Sequence, residues 1–201
     1  MEFLTSDFFT IMKNGAFIKA LKSEHKVGSI LFVPTTKNSE KTMKYLKLVM
    51  KEFEKYGLTY ENIMVLSEEL SADDYNNVTC IFLMGGSVAV QHELIYQNGE
   101  FLKFLINFSG LTIGYSAGSL NLGSHIFLHP RHKEGDNLHL EGVGKFDFSL
   151  DVHCPSDAKE IYKLDYEKVK EPLFLLKDEG AIVHDEGKII LIGGAEQYEK
   201  N

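Results

Sequence analysis

Arginine is almost missing from this 201-residue chain: Arg131 is the only one, and 21 basic residues face 29 acidic ones for a formal charge of −8. Nucleic acid is therefore not an expected partner, because phosphate binding needs clustered cations that displace counterions. Cysteine is scarce too. Cys80 and Cys154 are too few to staple a chain of this length and read as free thiols of a reducing compartment. No apolar run approaches the roughly 20 residues that cross a bilayer. The opening segment Met1 to Asp7 carries acid where a secretory signal carries basic charge. The expected compartment is the cytoplasm, with no membrane contact. The four prolines form no linker, and neither repeats nor low-complexity tracts divide the sequence, so residues 1–201 are expected to form a single domain.

What is present is 44% hydrophobic and 25% charged, enough to bury a sizeable core. Short apolar runs rich in β-branched and aromatic residues recur at Phe3-Leu4-Thr5, Val27 to Val33, Ile63 to Leu66, Val78 to Met84 and Leu111 to Tyr115. Between them, Lys41 to Tyr56, Val88 to Tyr96 and Glu100 to Phe108 have helical period. This alternation predicts an α/β fold, a mostly parallel sheet with helices on both faces. Further on, Ile161 to Val169 reads as helix, and Ala181-Ile182-Val183 with Lys188 to Ile192 reads as a closing hairpin around Asp185-Glu186-Gly187. The stretch from Ser124 to Glu141 is polar and histidine-rich; it reads as a solvated, mobile segment placed to act as a lid.

Two glycine turns follow predicted strands and open predicted helices. In Gly114-Tyr115-Ser116-Ala117-Gly118 the serine is flanked by small residues, as a nucleophile on a sharp strand-to-helix turn must be. The N–H of Ala117 would then stabilise an oxyanion, and the Gly86 N–H of Gly85-Gly86-Ser87 would be a second donor. A phosphate loop is the rival reading of the second turn, but the chain has neither a GxGxxG pattern nor a Gly-Lys-Ser/Thr ending there. The base is expected to be histidine. Of eight, His153 stands at a strand-to-loop junction in Leu150-Asp151-Val152-His153-Cys154-Pro155, whereas His125, His129, His132 and His139 fall in the polar stretch. Cys154 is adjacent to His153 on an extended strand and so points to the opposite face. Asp178 and Glu179 precede Ala181-Ile182-Val183 and are the candidate acids that orient a histidine. The spacing of His125, His129 and His132 would suit a metal on a helix, but Pro130 argues against that helix, and no metal or cofactor is expected.

Taken together, these segments resemble the peptidase E family of cytoplasmic serine dipeptidases, over nearly the whole chain. The likeness rests on Phe3-Leu4-Thr5-Ser6, Val33-Pro34-Thr35, Met84-Gly85-Gly86, Gly114 to Gly118, the His153 segment and Asp178 to Ile182. It implies a three-layer α/β/α sandwich like that of class I glutamine amidotransferases, with serine replacing their cysteine. It also implies a triad of Ser116, His153 and Asp178, with Glu179 as the alternative acid, acting on short peptides. A homodimer is left open. Where the family's turn commonly continues with Asn this chain has Ser87, and residues 157–170 offer lysines but no arginine, so an aspartyl preference is not expected. Two other readings stay in view: an esterase or amidase pairing Asp151 with His184, and a non-catalytic relative that binds a peptide or metabolite.

Overall fold

A computed structural model describes residues 1–67, 70–132 and 138–200. Strand β1 (Glu2–Thr5) leads through helices α1 (Phe8–Ile11) and α2 (Gly15–Glu24) to β2 (Ser29–Val33), and α3 (Ser39–Lys55) leads to β3 (Asn62–Val65). A 3-10 turn, Ala72–Tyr75, precedes β4 (Val78–Leu83). Helices α4 (Val88–Gln97) and α5 (Gly99–Asn107) connect β4 to β5 (Leu111–Tyr115), which runs into α6 (Ala117–Leu122). Next come β6 (His125–Leu128), β7 (Leu138–Glu141), β8 (Ser149–Val152), α7 (Ala158–Ile161), α8 (Lys163–Tyr166) and β9 (Leu173–Leu176). Strands β10 (Ala181–Asp185), β11 (Lys188–Ile192) and β12 (Ala195–Tyr198) close the chain.

The main sheet has seven strands in the order β11-β10-β1-β5-β4-β2-β3. Strands β1, β5, β4, β2 and β3 are parallel, while β10 and β11 add an antiparallel edge. Alternating side chains divide between two cores, as the pleat requires. Ile30, Phe32, Cys80 and Phe82 pack with Phe8, Phe17, Leu21, Leu46 and Phe53 of α1 to α3. Leu31, Val33, Ile81 and Leu83 face the other way, onto Val88, Ile95, Phe101, Leu105 and Leu120 of α4 to α6. The result is the three-layer α/β/α arrangement. Connections leaving β1 and β2 therefore go to one face and those leaving β4 and β5 to the other, so crevices open at the carboxyl ends of the β5–β1 and β4–β2 pairs.

Two local expectations are corrected. The stretch from Ser124 to Glu141 is not simply a solvated loop: β6 and β7 pair antiparallel within it, and Ile126, Phe127, Leu128 and His129 are buried. Residues 133–137, the middle of the expected lid, lie outside the described residues. Ile161 to Val169 forms only the short turns of α7 and α8 rather than one helix, and a further small sheet, β12-β9-β8, flanks the main one.

Candidate active site

Tyr115 ends β5, and Ser116 turns there with φ 49° and ψ −107°, a conformation that costs a non-glycine residue roughly 1–3 kcal/mol. Hydrogen bonds to β1 hold it. The Ser116 N–H donates to Thr5 O (2.8 Å), and the buried Ser119 side chain both donates to Thr5 O and accepts from Thr5 N–H, each at 2.9 Å. A Cβ on Gly118 would lie 2.3 Å from Leu83 O, so only glycine lets α6 rest directly on the β4 backbone. That contact is what the second glycine of the motif provides.

His153 follows β8 in the small sheet and also has a left-handed backbone, φ 55°. Its N–H donates to Ser6 Oγ at 2.7 Å, and Ser6 is completely buried at the end of β1. This anchors a strand-end residue of one sheet to a strand end of the other. The imidazole reaches Ser116 Oγ with Nε2 at 2.9 Å, across 37 residues of sequence. On its far side Nδ1 lies 2.6 Å from Asp178 Oδ1 and 3.4 Å from Ser6 Oγ. A carboxylate against Nδ1 favours the proton there, which leaves Nε2 free to accept from the serine hydroxyl. The Asp178 loop is tied to the same strand end, since Asp7 N–H donates to Asp178 O and Ser6 N–H to Gly180 O. Glu179, the alternative acid, is directed elsewhere: its carboxylate lies beside Gly194, where an added Cβ would meet it at 2.8 Å.

Gly86 and Ala117 line the same cleft as Ser116 and His153, a space of about 500 Å³. Gly86 has φ 138°, and a Cβ there would lie 2.3 Å from Thr35 Oγ1, so the turn cannot carry a side chain. Ser87 has a structural use. Its Oγ accepts from Val90 N–H and caps α4. Behind the turn, buried Gln91 donates to Val33 O and Met84 O, bracing the ends of β2 and β4.

The pairing of Asp151 with His184 does not form. His184 Nδ1 lies 2.8 Å from Glu2 Oε2 at the other end of β1, and its Nε2 accepts from Gly187 N–H. Asp151 is 1% exposed and accepts from both Arg131 Nη atoms (2.5 and 2.7 Å) and from Tyr166 OH (2.7 Å), with His132 Nε2 at 3.2 Å. Burial pushes the Asp151 carboxyl up, but the bonds from His132 and Arg131 outweigh it and hold the pKa below the usual carboxylate range. Cys154 packs beside this cluster, and burial pushes its thiol up to about 12. His125, His129 and His132 face three separate carboxylates, those of Glu171, Asp165 and Asp151.

Residues 9–192 match the family model of peptidase family S51. The chain belongs to peptidase family S51. This is the peptidase E family, so the enzyme is a serine peptidase. No curated protein gives a significant match. Among solved structures, the S51 chain is similar to a Listeria monocytogenes EGD-e protein described as a candidate peptidase E, at 20% identity and TM-score 0.69, covering 98% of each chain. It is also similar to a peptidase from an acI-B1 Actinobacterium, at 15% identity and TM-score 0.59, covering 98% of this chain and 96% of that one. Both share the fold seen here. Among the described residues no helix is long and apolar enough to cross a membrane.

Two features of the site carry no signal in the sequence. Ser6 is one small polar residue after a short strand, and only the tertiary approach of β8 gives it a role. Arg131 stands in a histidine-rich run that reads as solvated, yet it ends in the buried pair with Asp151. Of the adjacent acids Asp178 and Glu179, the loop brings the Asp178 carboxylate to His153 and turns that of Glu179 toward Gly194.

Proposed function

We propose that this S51 peptidase hydrolyses short peptides through an acyl-enzyme on Ser116, in the cytoplasm. The observation that carries the proposal is the continuous relay from Ser116 Oγ through His153 to Asp178, at 2.9 and 2.6 Å. In the first half, Oγ attacks the scissile carbonyl carbon while its proton passes to Nε2, and Asp178 stabilises the imidazolium that forms. The N–H groups of Ala117 and Gly86 receive the developing oxyanion, each donor contributing roughly 3 kcal/mol. The C–N bond then breaks as Nε2 returns the proton to the leaving amine. In the second half His153 takes a proton from water as its oxygen attacks the ester carbonyl, the acyl C–Oγ bond breaks, and Nε2 returns the proton to Ser116 Oγ with release of the acid.

Ser6 acts in this scheme as a positioning residue, through the backbone and ring of His153. The test is a dipeptide and tripeptide library scored by mass spectrometry with the wild-type protein and Ser116→Ala in parallel. Hydrolysis confined to the wild type supports the mechanism; equal turnover by both would refute it.

A further inference from the structure

Around Ser116 the cleft is walled by Val88, Leu120, Leu128 and Val152 and by the rings of Tyr45 and Tyr115. The four aliphatic side chains are all buried, and the two rings stack with centroids 6.0 Å apart and planes 12° from parallel. Among the described residues no lysine, arginine or carboxylate lines this space. Besides Ser116, His153 and the two tyrosines, the polar lining residue is His132, whose Nε2 is turned to Asp151. The chain's only arginine is next door but fully engaged, with both terminal nitrogens on Asp151 and one also on Val152 O. Cations do occur nearby, though in another place. Lys41 and Lys44 line a neighbouring cavity of about 490 Å³ with Thr35 and Thr36, which shares Tyr45, Gly85 and Gly86 with the cleft.

Resting on the serine-peptidase reading above, we propose that the residue whose carbonyl Ser116 attacks carries an uncharged apolar side chain, of leucine or phenylalanine type. An aspartyl or lysyl side chain in this wall would lose its hydration and meet no opposite charge among the described residues, which disfavours it. An apolar side chain instead removes both itself and the exposed parts of the wall from water. Exclusion of charge by an apolar wall is itself a source of specificity.

The experiment uses diphenyl phosphonate esters built on N-blocked leucine, phenylalanine, aspartate and lysine analogues. Ser116 Oγ attacks phosphorus, a P–O bond to the serine forms, and phenoxide leaves with the serine proton delivered through His153. Labelling rates then read the side-chain preference directly. The leucine and phenylalanine reagents are expected to label Ser116 about 100-fold faster than the charged ones. Fastest labelling by the aspartate or lysine reagent overturns the proposal. So does an aspartate preference that disappears in the Lys41→Ala/Lys44→Ala double variant, which would assign specificity to the neighbouring cavity. If no reagent labels Ser116, the nucleophile reading itself falls and this inference with it; labelling at Ser116 with the wrong side chain removes only the inference.

Discussion

Replacing Arg131 with methionine isolates the buried cluster behind the catalytic cleft. The guanidinium supplies two hydrogen bonds to Asp151, a carboxylate that is 1% exposed, and one to Val152 O, the residue before His153. Arg131→Met leaves that carboxylate buried with only Tyr166 OH and His132, and breaking one side of a buried pair costs about 3–5 kcal/mol. For a chain of this length each kcal/mol lowers Tm by about 2–4 °C, so the expected loss is roughly 6–20 °C. Arg131→Met/Asp151→Leu removes the stranded charge and should recover more than half of it. The pH dependence follows from the sign of the Asp151 shift, whose folded pKa lies below the unfolded value. Its stabilising contribution is fully present above the ordinary aspartate pKa of about 3.9 and is lost as pH falls through the lower folded value. The Tm gap between wild type and double variant should thus be constant from about pH 5 to 8 and narrow below about pH 4. Thermal melts followed by circular dichroism measure both quantities. A single variant that melts within 2 °C of wild type, or a double variant no better than the single one, would refute the reasoning.

Two further changes address the site directly. Asp178→Asn should lower kcat by about 10³- to 10⁴-fold by favouring the wrong histidine tautomer, whereas Glu179→Gln should change it less than about 3-fold; steady-state kinetics on one peptide distinguish them, and the reverse ranking would move the acid to Glu179. Gly118→Ala forces a methyl to 2.3 Å from Leu83 O, so α6 must shift off β4, at about 1–3 kcal/mol in stability and most of the activity. Denaturant unfolding with a parallel peptide assay checks it.

The parallel part of the fold was readable because β2, β4 and β5 are buried on both faces and so appear as near-continuous apolar runs. Leu111 to Tyr115 was read at its observed limits, and the α3, α4 and α5 segments within two residues of theirs. Strand β1 reads weakly in sequence because it is only four residues long, yet it lies in the middle of the sheet. The β6–β7 hairpin was hidden because His125, His129 and Arg131 suggest solvent, while Glu171, Asp165 and Asp151 supply partners from distant segments. Side-chain pairing across sequence is what local pattern cannot show. The same reason explains the site: the glycine-flanked Ser116 marks itself by the mechanics of its turn, His153 and the Asp178–Glu179 pair stand out only as strand-end candidates until the family resemblance joins them to Ser116, and Ser6 needed coordinates.

The most direct measurement of the central claim is intact-protein and peptide-level mass spectrometry after exposure of the folded protein to a fluorophosphonate. The account predicts a single adduct on Ser116, absent in Ser116→Ala and formed at least about 100-fold more slowly in His153→Ala, where the hydroxyl has lost its base. An unmodified Ser116, or an equal labelling rate without His153, would contradict it.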